Sequence, residues 1–137
     1  EAVIEAEYTR IARFIDKAAR GTGDPVDDLV EGGDAFLSAM SDPVSRQLLL
    51  IDGPAVLGMV RMNQIDTATT TRELALGIKA AQAAGRLPGD IDAAALTSLM
   101  TGAYDRGAID GFAAAEERRL AVRHAIRAIW FGLSKLA

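Results

Sequence analysis

Apolar residues recur at three- and four-residue steps along most of this chain, which is the period of a helix buried on one side. Ile4, Tyr8, Ile11, Ile15 and Ala18 form the first series, with Phe14 beside it and charges on the other side. No Ser, Thr, Asp or Asn stands ahead of Glu1 to cap that helix, so further chain is expected upstream. The loop GTGDP ends it, and Asp24 with Pro25 supplies the N-cap and first residue of a second helix carrying Val26, Leu29, Phe36, Leu37 and Met40. Gly32 and Gly33 lie inside that helix, where each costs about 1 kcal/mol relative to Ala. A kink, a close helix crossing and a point of backbone approach to a ligand are the alternatives there. Ser41-Asp42-Pro43 repeats the cap-then-proline signal and opens a short third helix into Leu48-Leu49-Leu50-Ile51.

The stretch LLLIDGPAVLGM, residues 48–59, has the ingredients of a β-hairpin or of a break between two buried helices. A hairpin needs arms that alternate apolar and polar, whereas both arms here are continuous apolar runs, and Pro54 directly after Gly53 suits a helix start. A break at Asp52-Gly53 is therefore expected, with a fourth helix over 54–68. Thr70 and Glu73 have the spacing of a capping box that restarts the chain into LALGIKAAQAAG, and Gly85 is placed to end that helix, with Pro88 beyond it.

Two more helices come after it. Asp92 can cap the first, with Ile91 and Leu96 as a hydrophobic staple, and Asp110-Gly111 is expected to close it. Leu96, Leu99, Met100, Ala103, Tyr104 and Gly107 share one face, and the small Ala and Gly permit a close crossing. The last helix carries Val122, Ile126, Ile129, Leu133 and Leu136 on one stripe, with Trp130 at its edge. Leu120 and Phe131, with His124 between them, lie on nearly the opposite side. A helix apolar on two sides is covered on two sides, and a second subunit suits the second cover. No internal repeat and no strand-like alternation is present, so the fold class expected is all-α, a single domain over 1–137.

Composition narrows the chemistry. Among 137 residues half are hydrophobic but only 5% aromatic, with four prolines, which favours helices over a sandwich or barrel. The absence of cysteine excludes disulfides, thiolate zinc sites and cysteine nucleophiles, and a single histidine, His124, leaves a Ser-His-Asp site one candidate base. A net charge of −4 argues against this chain by itself gripping DNA or an anionic membrane. No apolar run approaches the ~20 residues of a membrane span and the N-terminus is unlike a signal peptide, so a cytoplasmic protein with no membrane contact is expected. The pairs Asp27-Asp28 and Glu116-Glu117 fall in first helical turns, where the dipole favours negative charge. Arg118, Arg119, Arg123 and Arg127 bracket the apolar stripes of the last helix and suit a solvated rim or ion pairs between subunits. No metal, cofactor or catalytic residue is expected.

The run LLLIDGPAVLG, QID at 64–66, AAQAAGRL at 80–87 and IDAAALTSLMTGAYDRGAI resemble the C-terminal domain of TetR-family transcriptional regulators, over nearly the whole chain. EAVIEAEY at 1–8 is similar to the start of the helix that follows the helix-turn-helix in that family. The resemblance implies that the first helices enclose a small-molecule pocket and that the last two form a four-helix bundle with a symmetry mate. DNA would be contacted only through an N-terminal domain absent from this chain, and ligand binding would shift the first helix, changing the spacing of two DNA-reading heads and lowering operator affinity. Such a relay is a two-state equilibrium, with coupling typically ~1–3 kcal/mol.

Met59, Met62, Asn63 and Asp66 fall on one side of the fourth helix, where adaptable thioethers beside a polar pair could orient a mostly apolar ligand. Phe14, Phe36, Met40 and Tyr104 are further candidates for pocket walls; plain core packing is the alternative for each. A homodimer interface is expected at Leu99, Ala103, Gly107, Val122, Ile126, Ile129, Trp130 and Leu133. Two other readings stand beside the regulator: a stand-alone helical adaptor without a DNA-linked role, and a small enzyme using Asp or Glu carboxylates, for which the chain offers almost no nucleophile and base.

Overall fold

The structure, a computed structural model, describes residues 1–112 and 116–137. Helices follow one another as α1 Ala2–Ala18, α2 Pro25–Ala39, α3 Pro43–Arg46, a π-helical turn Gln47–Asp52, α4 Gly53–Ala68, α5 Thr70–Ala83, α6 Ala93–Phe112 and α7 Glu116–Ser134. The described residues contain no strand, so the fold is all-α. No helix among them is long and apolar enough to cross a membrane.

Several boundaries come directly from local chemistry. The Asp24 carboxylate accepts from the Val26 N–H at 3.3 Å and Asp42 accepts from the Val44 N–H at 3.0 Å, each with proline in the first turn behind it. Asp92 caps α6 by accepting from the Ala95 N–H at 2.8 Å. α5 ends on Gly85 at φ +70°, with the Arg86 N–H reaching back to the Ala81 carbonyl at 2.8 Å and the Gly85 N–H to Gln82 at 3.0 Å. This is the Schellman arrangement, which needs a left-handed residue. The Gln82 amide then donates to the carbonyls of Pro88 and Ile91, at 3.0 and 2.8 Å, and fixes the loop into α6.

Three boundaries differ from the sequence-based expectation. The helical path does not break at Asp52-Gly53: Gly53 keeps helical angles, and its N–H bonds the Leu48 carbonyl five residues back. The π-helical register widens the turn into which the Pro54 ring must fit, so the proline is absorbed rather than obeyed. The break comes at Gly58, with φ +80° and ψ 160°, a conformation that only glycine adopts readily. Thr70 and Glu73 do not form a capping box, because the Thr70 hydroxyl donates to the Asp66 carboxylate and the Thr69 hydroxyl to the Ile65 carbonyl. α6 also runs through Asp110-Gly111 to Phe112 instead of closing there.

The core runs through Ile11, Val26, Met40, Leu49, Ile78, Leu87 and Trp130, all but excluded from solvent. α1, α2 and α5 pack on one another, α4 lies against α1 and α5, and α2 also crosses α6 and α7. That last crossing buries part of the expected dimer interface within the chain itself. Trp130 is fully buried and Ile126 nearly so within this one chain, and the Trp130 indole N–H donates to the Tyr104 hydroxyl at 2.9 Å. A Cβ on Gly107 would lie 2.7 Å from Val122 Cγ1, so these two residues already make the α6–α7 crossing inside the chain. Ala103 and Leu133 are half-buried, whereas Leu99 and Ile129 are exposed, as are Leu120 and Leu136. Arg123 and Arg127 pair with Asp34 of α2, at 3.4 and 3.1 Å, which makes them an intrachain rim.

Candidate functional site

A cavity of about 300 Å³ lies among α1, α2, α5, α6 and the end of α4. Glycines make room for it. At Gly33 a Cβ would collide with the ring and hydroxyl of Tyr104, at Gly77 it would lie 2.7 Å from Leu29 Cδ2, and at Gly32 3.2 Å from the Ala19 Cβ. Gly32 and Gly33 keep helical geometry inside α2, so of the alternatives raised by the sequence the kink falls away. What remains is close helix approach at the wall of a cavity.

The apolar part of that wall comes from Ile15, Leu29, Phe36, Leu74 and Leu76. Phe36 meets Tyr104 edge-on, with ring centroids 6.0 Å apart at 72°, which together with the Trp130 hydrogen bond leaves the Tyr104 ring little freedom. Burial pushes the Tyr104 hydroxyl up to about 12, helped by the charge of Asp34 and opposed by the Trp130 hydrogen bond, so it stays a neutral phenol. Its oxygen accepts from Trp130, and its own proton remains available to donate. Thr71 and Thr101 bring their hydroxyls to 3.4 Å from α5 and α6.

The charged lining is wholly acidic: Asp16, Asp28, Asp66, Glu73 and Asp105. Asp16 is answered by Arg20 at 2.7 Å, and Asp28 accepts from the hydroxyl and N–H of Thr22. Asp66 accepts from Thr70. Asp105 has no hydrogen bond to its carboxyl among the described residues; burial, and then the charge of Asp66, push it up to about 7. Glu73 is raised as well, by burial and then Asp16, against the pull of Arg72 and Arg20. The Tyr8 hydroxyl is held above the ordinary phenol range by burial and by Asp66 and Asp105. Among the described residues no three His, Cys, Asp or Glu side chains gather where they could hold a metal ion.

Of the residues singled out from sequence, the cavity brings together Phe36, Asp66 and Tyr104. Met40 is fully buried and Met62 nearly so, but both pack elsewhere, Met62 against Gly53. Phe14, Met59 and Asn63 are exposed or half-exposed and do not line it. Beyond the turn at Gly58 the helix is continuous, and of its residues Met59 is 62% exposed while Met62 and Ile65 turn inward. Sequence reasoning missed Asp105, Asp16, Asp28, Glu73 and the threonines. A signal was present for some of them, since Thr101, Tyr104 and Asp105 sit at i, i+3 and i+4 on one face of α6, as do Asp66 and Thr70 across α4 and α5. His124 is exposed on α7 and is not part of the lining.

A half-enclosed apolar space with a few convergent polar groups can hold a small organic molecule. Residues 26–133 match the family described as Tetracyclin repressor-like, C-terminal domain. That span covers α2 to α7 and thus all of the cavity except the part supplied by α1 and Pro25. No curated protein matches the chain.

Proposed function

This chain belongs to the Tetracyclin repressor-like, C-terminal domain family, and from that premise we propose that it is the effector-binding and dimerisation domain of a cytoplasmic transcriptional repressor. The observation that carries the reading is the cavity itself, because α1 forms one of its walls through Ile15, Asp16 and Ala19. A molecule entering there meets the C-terminal end of α1. The N-terminal half of α1 is held elsewhere: Arg61 of α4 grips Glu1 at 2.7 Å and Glu5 at 2.9 Å, and Ser45 donates to Glu7 at 2.6 Å. A helix pinned near one end and displaced at the other pivots, and a helix-turn-helix joined to its start would move with it. The ligand biases this equilibrium only by binding one position of α1 better than the other.

DNA contact belongs to that upstream domain, in keeping with the net charge of −4 here. The homodimer would use the exposed apolar residues of α6, α7 and the turn after α7, namely Leu99, Leu120, Ile129 and Leu136.

The test is titration with a neutral apolar fluorophore, N-phenylnaphthylamine, together with hydrogen exchange of the α1 amides. Saturable enhancement that is lost in Thr101→Trp, with changed exchange within Ala2–Ala18, is the expected result. Enhancement that survives Thr101→Trp would place the probe outside the cavity, and unchanged α1 exchange on saturation would remove the relay.

A further inference from the structure

The cavity that the proposed function assigns to an effector has a chemical bias of its own, and the inference drawn from that bias rests on the assignment. An apolar space with neutral walls would take any hydrocarbon of suitable size. This one has five carboxylates in its lining and no Lys, Arg or His. The nearby cations are committed or outside: Arg20 is paired with Asp16, and Arg72 does not line the space. Asp16, Asp28 and Asp66 each have a partner, whereas Asp105 has no hydrogen bond among the described residues and faces Asp66 electrostatically. A buried carboxyl beside another carboxylate is relieved in two ways, by taking up a proton or by acquiring a cation.

We propose that the ligand of this cavity is an organic cation, an apolar body with a protonated amine or quaternary ammonium group, its hydrocarbon against Leu29 and Phe36 and its charge against Asp105 and Asp66. An anionic effector would meet repulsion from the lining with no cation to offset it. A neutral one would fill the space but leave the two carboxyls in conflict. Phe36 and Tyr104 add aromatic surface beside the acids, which also favours a cation. The Tyr104 hydroxyl, with a proton to donate, and the Thr71–Thr101 pair can orient polar atoms of the ligand without changing the sign of charge it must carry.

The experiment is calorimetric titration of the full chain at pH 8 with three molecules of similar size and apolar body: phenylbutylamine, its N-acetyl amide and phenylpentanoate. The amine is expected to bind at least about tenfold more tightly than the amide, and the carboxylate most weakly. Asp105→Asn should remove the preference for the amine while leaving the amide within about twofold, and Asp66→Asn provides a second variant, each checked for folding by its thermal transition. Equal or tighter binding of the amide or carboxylate to the unaltered chain overturns the inference, as does an amine preference that persists in both variants. In those cases binding itself still supports an effector cavity. If none of the three binds, the cavity fails as an effector site and the cation inference falls with it.

Discussion

Asp105 is the residue whose burial most directly opposes its own ionisation. In the unfolded chain its carboxyl titrates near 3.8, but in the fold it holds its proton up to about 7. Between these values the folded state binds more protons than the unfolded state, so stability falls as pH rises through the window and levels off above it. Asp66 and the neutral Tyr8 hydroxyl are the groups coupled to it. Asp105→Asn removes this dependence. Its gain in stability over the native chain should grow from pH 4 to pH 7 and then plateau, reaching a few kcal/mol (~1.4 kcal/mol for each pH unit of the window). Chemical denaturation across that range measures it, and a gap that does not change with pH would show that Asp105 is not the strained group. Gly33 is the second telling position, because the ring that a new Cβ would strike is held by Trp130 and Phe36 and cannot swing away. Gly33→Ala should cost about 1–3 kcal/mol, read from the same denaturation curves, by the usual penalty for overpacking.

At the scale of elements, the stretch from Leu48 to Met59 shows how a glycine and a proline divide their work. Pro54 would ordinarily start or end a helix, but the π-helical register from Gln47 to Asp52 lets the helical path run through it. Gly53 is small enough to pass under Met62, whose Cε would lie 2.8 Å from an added Cβ. The true turn is Gly58, where no neighbouring atom would meet a Cβ and only the backbone angles forbid one. Gly58→Ala should therefore lower stability by about 1–3 kcal/mol through backbone strain alone. Any substitution that leaves the thermal transition unchanged at this position would mean that the turn is not rigidly kept. Because α4 delivers Asp66 to the cavity, the same variant should also weaken binding of the amine probe.

For the whole molecule, the apolar residues of α7 divide into those the chain covers itself and those it leaves exposed. Ile126 and Trp130 face the chain's own core, while Ile129, at 44% exposure on one flank of it, and Leu120, at 55% on nearly the opposite side of the helix from Ile129, are open to solvent. Ile126→Glu places an unpaired carboxylate in the core and should unfold or aggregate the protein. Ile129→Glu with Leu120→Glu should leave the fold intact and, if α6 and α7 meet a partner, yield monomers in light scattering. A double variant with the mass of the unaltered protein would exclude both residues from the dimer contact.

The sequence by itself determined the helical class, the caps at Asp24, Asp42 and Asp92 and the glycine stop at Gly85, because each depends on interactions within a few residues. It marked Phe36, Asp66 and Tyr104, which lie on inward faces of regular helical segments, where the 3.6-residue period holds. It also grouped Met59 and Asn63 with Asp66, but these two stand exposed while Met62 and Ile65 of the same helical stretch turn inward, a division that depends on where α1 and α5 pack on α4. It could not say which apolar residues of α7 are covered, since they lie on two sides of the helix and only the crossings with α2 and α6 decide which meet the core. The acidic lining was equally out of reach. Asp16, Asp28, Asp66, Glu73 and Asp105 come from five helices, and each is an ordinary surface carboxylate in its own segment. Only the packing of those helices around one space brings them to line the same cavity.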